Sequence, residues 1–543
     1  MGRIDDCLST AGGHLKIEGC DAVELIQRFG SPLFVVSEDQ LRRNARRFAT
    51  AFGAGWPHGP VTVMPAAKAN WARAVLRVLA DEGCGADVYS AGELSACLAA
   101  GIPADRISVN GVPKDPEHIR RTIEVGARLT IDDLGELDLV ERYVAELGRR
   151  AIVRLRLKPV LKDFTDSTDF VAEGLVPTDL AALTYKGGLA LADAVTAGRR
   201  LLANPRVDLV GLHQHHGRHH ASTRFWEAQM RAYAEEIASV CQALGGWRPR
   251  ELDIGGGFAI PRDPHNAATH YTDPAQLTAL YGLSKALGAL GARARHGVLA
   301  RLAEKLVEAA PNATPAPTIE QYAEVATGTL AAELRRRGVP LDGVALHLEP
   351  GRALQGDAGV HLATVRAIKR FTEPMKWNVI VLDTTEFWFT GGRIEHHLHD
   401  FRIANKVDAP AEEKADVCGR SCYGDRILPT VRVPRVEPGD VFAFLDTGAY
   451  QEASCSNFNA LPRPAMVLVT GDRAAVIRRR ETEEDVFARD VVPEHLAAAE
   501  RPSSDAISSG GRPGGRFARP VDRCRGRDSF MASAARRRAR EAP

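Results

Sequence analysis

The sequence lacks any apolar run long enough to cross a membrane. None of its stretches approaches the roughly 20 uninterrupted apolar residues that span a bilayer. Met1–Thr10 also lacks the basic and apolar parts of a secretory signal peptide. We therefore expect a cytoplasmic protein with no membrane partner.

Cysteine is scarce and shows no ligand spacing. The nine cysteines are odd in number and include no Cys-x-x-Cys pair. This pattern argues against a disulfide framework and against a structural zinc site. We expect reduced thiols and no metal ion.

Net charge is almost absent, yet it is unevenly distributed. The formal charge is +1, but Arg501–Pro543 contains eleven arginines against four acidic residues, a local charge of +7 beside −6 in the rest of the chain. A segment so rich in Gly, Ser, Pro and Arg cannot bury a core, so we predict a disordered basic tail at 496–543. Such a tail can bind nucleic acid, but we expect a solvated extension with no nucleic-acid partner.

Eight short apolar or β-branched runs are present, each followed by a pattern with apolar residues three and four positions apart. Such alternation predicts strands joined by helices, and eight β/α units in series predict an α/β fold with a TIM (β/α)8 barrel over 36–357. The strand runs are Val61–Ala66, Ala86–Tyr89, Arg106–Asn110, Ala127–Ile131, Ala151–Leu157, Val207–His213, Glu251–Ile254 and Gly343–Leu348. The helical patterns include Ala72–Asp81, Glu136–Leu147 and Phe225–Leu244.

The second half of the chain has strands with few helices between them. Turn dipeptides separate these strands, which predicts a C-terminal β-sandwich or β-barrel domain over 358–495. We expect the segment 1–35 to pack with that domain. The connection from Pro261 to Val339 is far longer than the usual connection of about 2–6 residues, and its Ala- and Leu-rich middle predicts a helical insertion at about 265–317. The predicted strands are Val360–Arg370, Val379–Asp383, Thr430–Val433, Val441–Leu445, Ala465–Thr470 and Ala474–Arg478.

Unusual residues follow four of the eight barrel strands, where the active sites of such barrels lie. Lys68 follows the first strand, a histidine cluster that includes His215 the sixth, Gly255–Gly257 the seventh, and Glu349–Arg352 the eighth. Singly these features are weak, since a lone lysine is usually solvated and the histidines could equally lie on the surface or bind a metal. Together at one end of a barrel they predict a cofactor site.

The residue types fit pyridoxal phosphate (PLP). A lysine whose pKa is lowered by burial can form an imine with an aldehyde. Gly255–Gly257 allows backbone N–H groups to approach a phosphate, and Arg352 offers a charge-assisted hydrogen bond. Glu349 can keep the pyridine nitrogen protonated, which makes the ring an electron sink.

From His14 to Ala488 the chain resembles the fold-type III PLP decarboxylases, the group of diaminopimelate, ornithine and arginine decarboxylases. The segments that are similar to the diaminopimelate branch are residues 30–36, 85–94, 211–215 and 349–352. The resemblance implies an alanine-racemase-like barrel domain followed by a β-domain, PLP as cofactor, and α-decarboxylation of an amino acid. It also implies a head-to-tail homodimer with active sites shared between subunits.

The resemblance implies roles for matching residues. Lys68 would carry the cofactor imine, His215 would stack on the ring, and Glu349 would face the ring nitrogen. Cys422 would reach across the dimer interface and return a proton to the substrate. The remaining cofactor-binding positions are Asp87, Gly255, Gly256, Gly257, Gly351, Arg352 and Tyr450.

The chain departs from the diaminopimelate pattern where that family reads the far end of its substrate. The usual Cys-Glu-Ser-x-Asp is replaced by residues 421–425, Ser-Cys-Tyr-Gly-Asp, which lack the glutamate and are one residue shorter. Arg393 is the single plausible equivalent of the family's distal carboxylate-binding residues, and Arg218 stands where a serine is usual. Trp388 and Phe389 could belong to the same pocket or to the β-domain core.

These departures predict a modified or non-standard amino-acid substrate, as in secondary metabolism, and are compatible with a free, a conjugated or a carrier-bound amino acid. The expected substrate-binding residues are Arg393, Tyr423, Asp425 and Arg218. Free meso-diaminopimelate is expected to be a poor substrate, because Tyr423 offers its ammonium only a neutral phenol. The alternatives are a true meso-diaminopimelate decarboxylase that makes L-lysine, a PLP-dependent amino-acid racemase, which would usually place Arg at the ring nitrogen, and a non-catalytic binding homologue.

Overall fold

A computed structural model describes residues 6–161, 170–171, 176–177, 186–215, 217, 222–260, 316–372, 377–388 and 399–496. The predicted insertion and tail therefore lie outside the described residues, apart from 316–317 and 496. The chain forms two compact units, Met1–Ala488 and Arg489–Pro543. The described part of the second unit contains a 3-10 turn at Glu494–Leu496.

The chain begins with a small antiparallel sheet. Helix α1 starts directly after it, because the Asp21 carboxylate accepts the N–H groups of Val23 and Glu24. A fully buried strand then leads towards the barrel. These elements are β1 Leu8–Ala11, β2 His14–Ile17, β3 Cys20–Asp21, α1 Ala22–Phe29 and β4 Leu33–Ser37.

The next strands close into a parallel barrel, which confirms the eight predicted strands. The order in the sheet is β5-β14-β13-β12-β9-β8-β7-β6, and a bridge between Ala66 and Asp87 joins its two ends. The strands β10 and β11 form a separate antiparallel pair. The bounds are β5 Val61–Val63, β6 Ala86–Val88, β7 Ile107–Val109, β8 Arg128–Ile131, β9 Ala151–Arg156, β10 Phe170–Val171, β11 Val176–Pro177, β12 Val207–His213, β13 Glu251–Asp253 and β14 Ala345–Leu348.

Helices follow the barrel strands and bury their apolar faces in the main hydrophobic core. The helix that precedes β14 begins with a capping box between Thr318 and Gln321. Among the described residues, no helix is both long and apolar enough to span a bilayer. The helices are α2 Glu38–Gly55, α3 Arg73–Asp81, α4 Ala91–Ala99, α5 Pro116–Val125, α6 Glu136–Glu146, α7 Leu191–Ala203, α8 Thr223–Ala243, α9 Ile319–Arg336, α10 Arg352–Gln355 and α11 Glu483–Phe487.

The predicted β-domain is present as two sheets that share one long strand. Residues 359–362 of β15 pair with β4 on one side and residues 360–364 pair with β20 on the other, whereas residues 365–371 pair with β16. The residues of β20 alternate between two apolar clusters, and the second cluster also contains residues of β16, β18 and β19. The strands are β15 Gly359–Phe371, β16 Trp377–Leu382, β17 Phe401–Ile403, β18 Glu413–Cys418, β19 Arg426–Val433, β20 Val441–Leu445, β21 Ala465–Thr470 and β22 Arg473–Arg478.

Strand β4 is an interior strand of the β-domain. It pairs antiparallel with β15 and parallel with β21. The boundary that we placed between residues 35 and 36 falls inside this strand. The β-domain is therefore built from an early piece of the chain and a late one, and the barrel is inserted between them.

Candidate active site

Lys68 lies at the mouth of the barrel on the 3-10 turn Ala67–Ala69, which follows β5. Its Nζ lies 2.8 Å from Oδ2 of Asp87, and the lysine side chain is 43% exposed whereas that of Asp87 is 3% exposed. Loss of hydration lowers the pKa of Lys68, but the charge and hydrogen bond of Asp87 together with the charges of Tyr450 and Glu349 outweigh it, so the net pKa is raised. Our expectation of a lowered pKa for Lys68 is therefore wrong, because the buried carboxylate of Asp87 contacts the lysine ammonium.

A continuous set of hydrogen bonds links Asp87 to Glu349. The side-chain nitrogen of Asn110 donates to Oδ1 of Asp87 at 2.7 Å and to Oε1 of Glu349 at 2.6 Å. The other oxygen of Glu349 lies 3.3 Å from Nε2 of His213. All four side chains are buried, so the two carboxylates are held together away from water.

Burial and charge shift the pKa of these groups in opposite directions. Burial, and then the charge of Asp87, raises the pKa of Glu349 to about 7. Burial lowers the pKa of His213 to about 3, so its ring is neutral. The site therefore contains a carboxyl group that titrates near neutral pH beside a carboxylate, Asp87, whose pKa is lowered by Lys68.

Two of the glycines after β13 pack too closely against neighbouring backbone to be replaced by a residue with a side chain. A Cβ on Gly255 would lie 2.5 Å from the carbonyl oxygen of Gln214, and one on Gly256 would lie 2.2 Å from that of Glu349. Gly255 and Gly257 also have φ values of 69° and 98°, which favour glycine. The N–H of Gly256 donates to Nδ1 of His215 at 3.2 Å, so this cradle and the predicted ring-stacking histidine adjoin each other.

Gly351, Arg352 and Tyr450 meet beside this cradle. A Cβ on Gly351 would lie 2.1 Å from the Tyr450 hydroxyl. The Arg352 guanidinium is buried and lies 5.2 Å from the centre of the Tyr450 ring. The N–H of Tyr450 donates to the carbonyl of Ala69 at 2.7 Å, which brings the β-domain residue Tyr450 to the turn that carries Lys68.

A buried ionic network fills the barrel below these residues. The Nη1 atom of Arg154 lies 2.7 Å from Oδ2 of Asp253 and 3.1 Å from Nδ1 of His347. Its Nη2 donates to the hydroxyl of Ser108. Burial and then the charge of Glu349 raise the pKa of Asp253 to about 7. The alternation of Arg154 and Arg156 with apolar residues in β9 was the sequence signal for this network, and we did not use it.

His213, Asp253 and Glu349 offer ligand atoms within 4.8 Å of one another. Such a group can hold a metal ion. Here Asp253 already pairs with the Arg154 guanidinium, and His213 faces Glu349. A guanidinium in contact repels a second cation, so we interpret the group as part of the hydrogen-bond network.

Cys422 lies on the loop between β18 and β19 and is exposed. Two hydrogen bonds join Cys422 to the side-chain amide of Asn459: Oδ1 accepts a hydrogen bond from the Cys422 N–H at 2.9 Å, and Nδ2 donates to the sulfur at 3.1 Å. Tyr423 is 54% exposed, and its ring packs edge-on against Phe387 at 5.9 Å. Asn459 was not found from the sequence, because no motif that we used contains it.

Asp425 holds the same loop in place. Its carboxylate accepts hydrogen bonds from the Thr385 hydroxyl at 3.1 Å, the N–H of Glu386 at 2.6 Å and the N–H of Ser421 at 2.7 Å. These bonds account for a buried aspartate with a φ of 46°. A contact of Asp425 with substrate remains a prediction.

The described residues bring most of the predicted cofactor positions together but not all of the substrate positions. Arg218, Arg393 and Phe389 lie outside the described residues. Trp388 is buried, and its indole N–H donates to the carbonyl of Ser456 at 3.0 Å. Trp388 therefore belongs to the core of the β-domain.

Asn110 and His213 are the residues at the mouth that sequence reasoning missed. Both stand at the carboxyl end of a predicted barrel strand, the position that drew attention to Lys68 and Glu349. That position was an available signal. We gave Asn110 no role because an amide has none in the chemistry that we had inferred, and we gave His213 none because His215 of the same cluster already had the histidine role.

Comparison with protein families finds a match at residues 38–280 to the model described as "Pyridoxal-dependent decarboxylase, pyridoxal binding domain". The diaminopimelate decarboxylase of Actinosynnema pretiosum subsp. auranticum is 31% identical over 487 residues, which cover 88% of this chain and 93% of that protein. The diaminopimelate decarboxylase of Methanocaldococcus jannaschii is 29% identical over 498 residues, 91% of this chain and 98% of that protein.

Solved structures give a consistent similarity. The crystal structure of the M. jannaschii diaminopimelate decarboxylase in complex with L-lysine is 28% identical to this chain, with a TM-score of 0.74. The match covers 90% of this chain and 99% of that one. The similarity therefore extends through both the barrel and the β-domain.

Proposed function

This chain belongs to the family of pyridoxal-dependent decarboxylases that contains the diaminopimelate decarboxylases, and from that premise we propose that it converts meso-diaminopimelate to L-lysine and carbon dioxide. The observation that carries the proposal is the similarity to diaminopimelate decarboxylases over more than nine-tenths of their length. The chain is a PLP-dependent carboxy-lyase. The racemase and the non-catalytic homologue have no comparable support.

The residues at the barrel mouth fit PLP. Gly255 and Gly256 have no space for a Cβ, so with Gly257 they would present bare backbone to a phosphate at the barrel mouth. Lys68 offers an amine at the mouth, and Glu349 offers a buried carboxylate. When bound, PLP supplies an electron sink for the electron pair that remains when the carboxylate leaves.

We assign the following tasks to residues of this chain. Lys68 would hold the cofactor covalently through its Nζ, and Asp87 would pair with that nitrogen. Glu349 would accept a hydrogen bond from the protonated ring nitrogen, and the neutral His213 holds one oxygen of Glu349. His215 covers the ring face, beside the glycines that bind the phosphate.

Two further tasks complete the assignment. Arg352 and Tyr450, which adjoin Gly351, contact the phosphate. Cys422 of the partner subunit would deliver a proton to the α-carbon after the carboxylate has left. The bond between the α-carbon and the carboxylate breaks, carbon dioxide leaves, and the new C–H bond restores the charge balance.

This proposal replaces the non-standard substrate that we expected. That expectation assumed that the distal ammonium is buried against Tyr423 without a partner. The similarity to diaminopimelate decarboxylases, by contrast, extends over 98% and 93% of the length of two of them. The single substitution of a tyrosine for a glutamate is therefore weak evidence against the substrate of the similar enzymes.

The test is turnover by the purified PLP-loaded enzyme. We expect meso-diaminopimelate to yield equimolar carbon dioxide and L-lysine, measured by mass spectrometry, with higher kcat/KM than L-ornithine or L-arginine. Glu349→Gln serves as the matched, folded control with reduced turnover. If another amino acid is decarboxylated efficiently and meso-diaminopimelate is not, the substrate assignment is wrong while the decarboxylase assignment stands.

A further inference from the structure

Asn110 occupies the centre of the candidate site, between the two carboxylates assigned to opposite ends of the cofactor ring. It follows β7 directly and is 6% exposed. Its single side-chain nitrogen contacts Oδ1 of Asp87 at 2.7 Å and Oε1 of Glu349 at 2.6 Å. An amide NH2 group has two hydrogens, so each carboxylate receives one.

The orientation of this amide is set from the barrel interior. The Arg154 guanidinium has only donors, and its Nη2 contacts the Ser108 hydroxyl, so the Ser108 oxygen accepts that bond. The single proton of Ser108 is then directed to Oδ1 of Asn110, 3.2 Å away. With its oxygen held by Ser108, Asn110 must turn its NH2 group towards the carboxylates.

The reverse orientation is strongly unfavourable. An Asn110 flipped about its last bond would place the amide oxygen against Oδ1 of Asp87 and Oε1 of Glu349, and these two oxygens would lose the donor that Asn110 provides. The Ser108 proton would then face an NH2 group. Because buried carboxylates lose the full benefit of solvation, the loss of these donors has no compensation from water.

We propose that Asn110 is a positioning residue that holds Asp87 and Glu349 in a fixed relation through its two N–H bonds, and that Arg154 and Ser108 set its orientation. Asp87 bonds to Lys68, and Glu349 faces the ring nitrogen, so Asn110 joins the imine end of the site to the nitrogen end. The inference rests on the roles proposed above for Asp87 and Glu349. It adds a residue group that acts through those carboxylates without touching the substrate.

Asn110→Asp is the direct test, because it keeps the shape of the side chain and removes both N–H donors. In the PLP-loaded enzyme we expect kcat to fall roughly 10- to 100-fold with little change in KM, since charge-assisted bonds that orient reacting groups contribute on this scale. The visible circular dichroism of the bound cofactor should change in amplitude while its absorbance still shows full occupancy. A purely structural role would not alter that signature.

Ser108 gives a second, independent test. Ser108→Ala retains Asn110 and both carboxylates but removes the proton that orients the amide, so it should reproduce the fall in kcat. Ser108→Thr keeps the hydroxyl, so its kcat should be close to that of the wild type. Thr130→Val on the neighbouring strand is the matched control, because the buried Thr130 hydroxyl makes no hydrogen bond among the described residues, and both kcat and the dichroism should be unchanged.

The outcomes separate this inference from the proposed function. If Glu349→Gln lowers kcat but folded Asn110→Asp and Ser108→Ala retain wild-type kcat and dichroism, the positioning role is wrong and the proposed function stands. If Glu349→Gln also has no effect, the assignment of the cofactor site is itself wrong. Should Asn110→Asp fail to fold, the Ser108 pair decides, with loss in Ser108→Ala and rescue in Ser108→Thr supporting the inference and equal activity refuting it.

Discussion

At the scale of single residues, the candidate site contains an ion pair in direct contact and a second carboxylate close to the first. Lys68 and Asp87 form an ion pair at 2.8 Å. Glu349 lies close enough to Asp87 that this charge, after burial, raises its pKa to about 7. A cofactor that carries a proton on its ring nitrogen would neutralise Glu349, so the site is prepared for a cationic partner.

Lys68→Ala should abolish both turnover and the visible absorbance band of the PLP-bound enzyme, because Lys68 supplies the amine that lies beside Asp87 at the barrel mouth. Lys158→Ala, which removes another lysine that follows a barrel strand, should retain the band. Borohydride reduction followed by peptide mapping gives the site directly. A modified peptide that excludes residue 68 would refute the assignment.

The affinity of the apoenzyme for PLP should fall as the pH drops below about 7. Glu349 is ionised above its pKa of about 7 and protonated below it, and only the ionised form pairs with a protonated ring nitrogen. Glu349→Gln should remove this part of the pH dependence and lower kcat by on the order of 10². Fluorescence titration with PLP at several pH values is the measurement, and an unchanged pH dependence in the variant would contradict the prediction.

At the scale of elements, the carboxyl ends of the barrel strands bring the site together. Turns after β5, β12, β13 and β14 provide the amine, the histidine, the glycines and the carboxylate, respectively. Backbone hydrogen bonds tie these turns to one another, for example the N–H of Glu349 to the carbonyl of Gly255 at 2.8 Å. The site is thus rigid where the phosphate would bind.

Gly256→Ala should weaken PLP binding by an order of magnitude or more, because its Cβ would lie 2.2 Å from the backbone oxygen of Glu349 and would force the two turns apart. Gly328→Ala is the control, for which we expect higher thermal stability and unchanged affinity for PLP. Gly328 lies in α9 with nothing within 4 Å of an added Cβ, so alanine should stabilise the helix by up to about 1 kcal/mol. Equilibrium dialysis and thermal unfolding measure the two effects. Equal affinity of Gly256→Ala and wild type would argue against the phosphate cradle.

The barrel strands were predictable from sequence because each is a compact apolar run bounded by helical periodicity. Strand β17, Phe401–Ile403, was missed because three residues are too short to establish alternation. Strand β18, Glu413–Cys418, was missed because charged residues occupy its first positions. Lys68 and Glu349 were found because their residue types suggest chemistry, whereas Asn110 acts only through its neighbours, and spatial proximity of that kind is not encoded in local sequence.

At the scale of the whole molecule, the predicted proton donor lies in a different domain from the lysine. Cys422 is exposed on the β-domain, and Asn459 fixes both its N–H and its sulfur. Lys68 lies at the barrel mouth. A head-to-tail dimer would place the Cys422 loop of one subunit over the mouth of the other.

A mixture of Lys68→Ala and Cys422→Ser should therefore be more active than either variant alone. Exchange of subunits would create dimers in which one of the two shared sites contains both native residues. Turnover of the mixture after subunit exchange is the measurement, and two copies of the same variant mixed together form the control. If sites are not shared, the mixture will show only the mean of the two inactive parents.

Strand β4 has a consequence for how the protein is made. It lies between β15 and β21, so its partners at residues 359–362 and 465–469 leave the ribosome long after it does. At about 5–20 residues per second, the delay is on the order of tens of seconds. During that time the entirely apolar segment Leu33–Val36 has no strand to pair with, because the ribosome is still synthesising the barrel that separates it from its partners in sequence. The newborn chain thus passes through a stage in which its barrel can be complete and its β-domain cannot, and in that stage chaperone binding near the N-terminus would have the most to protect.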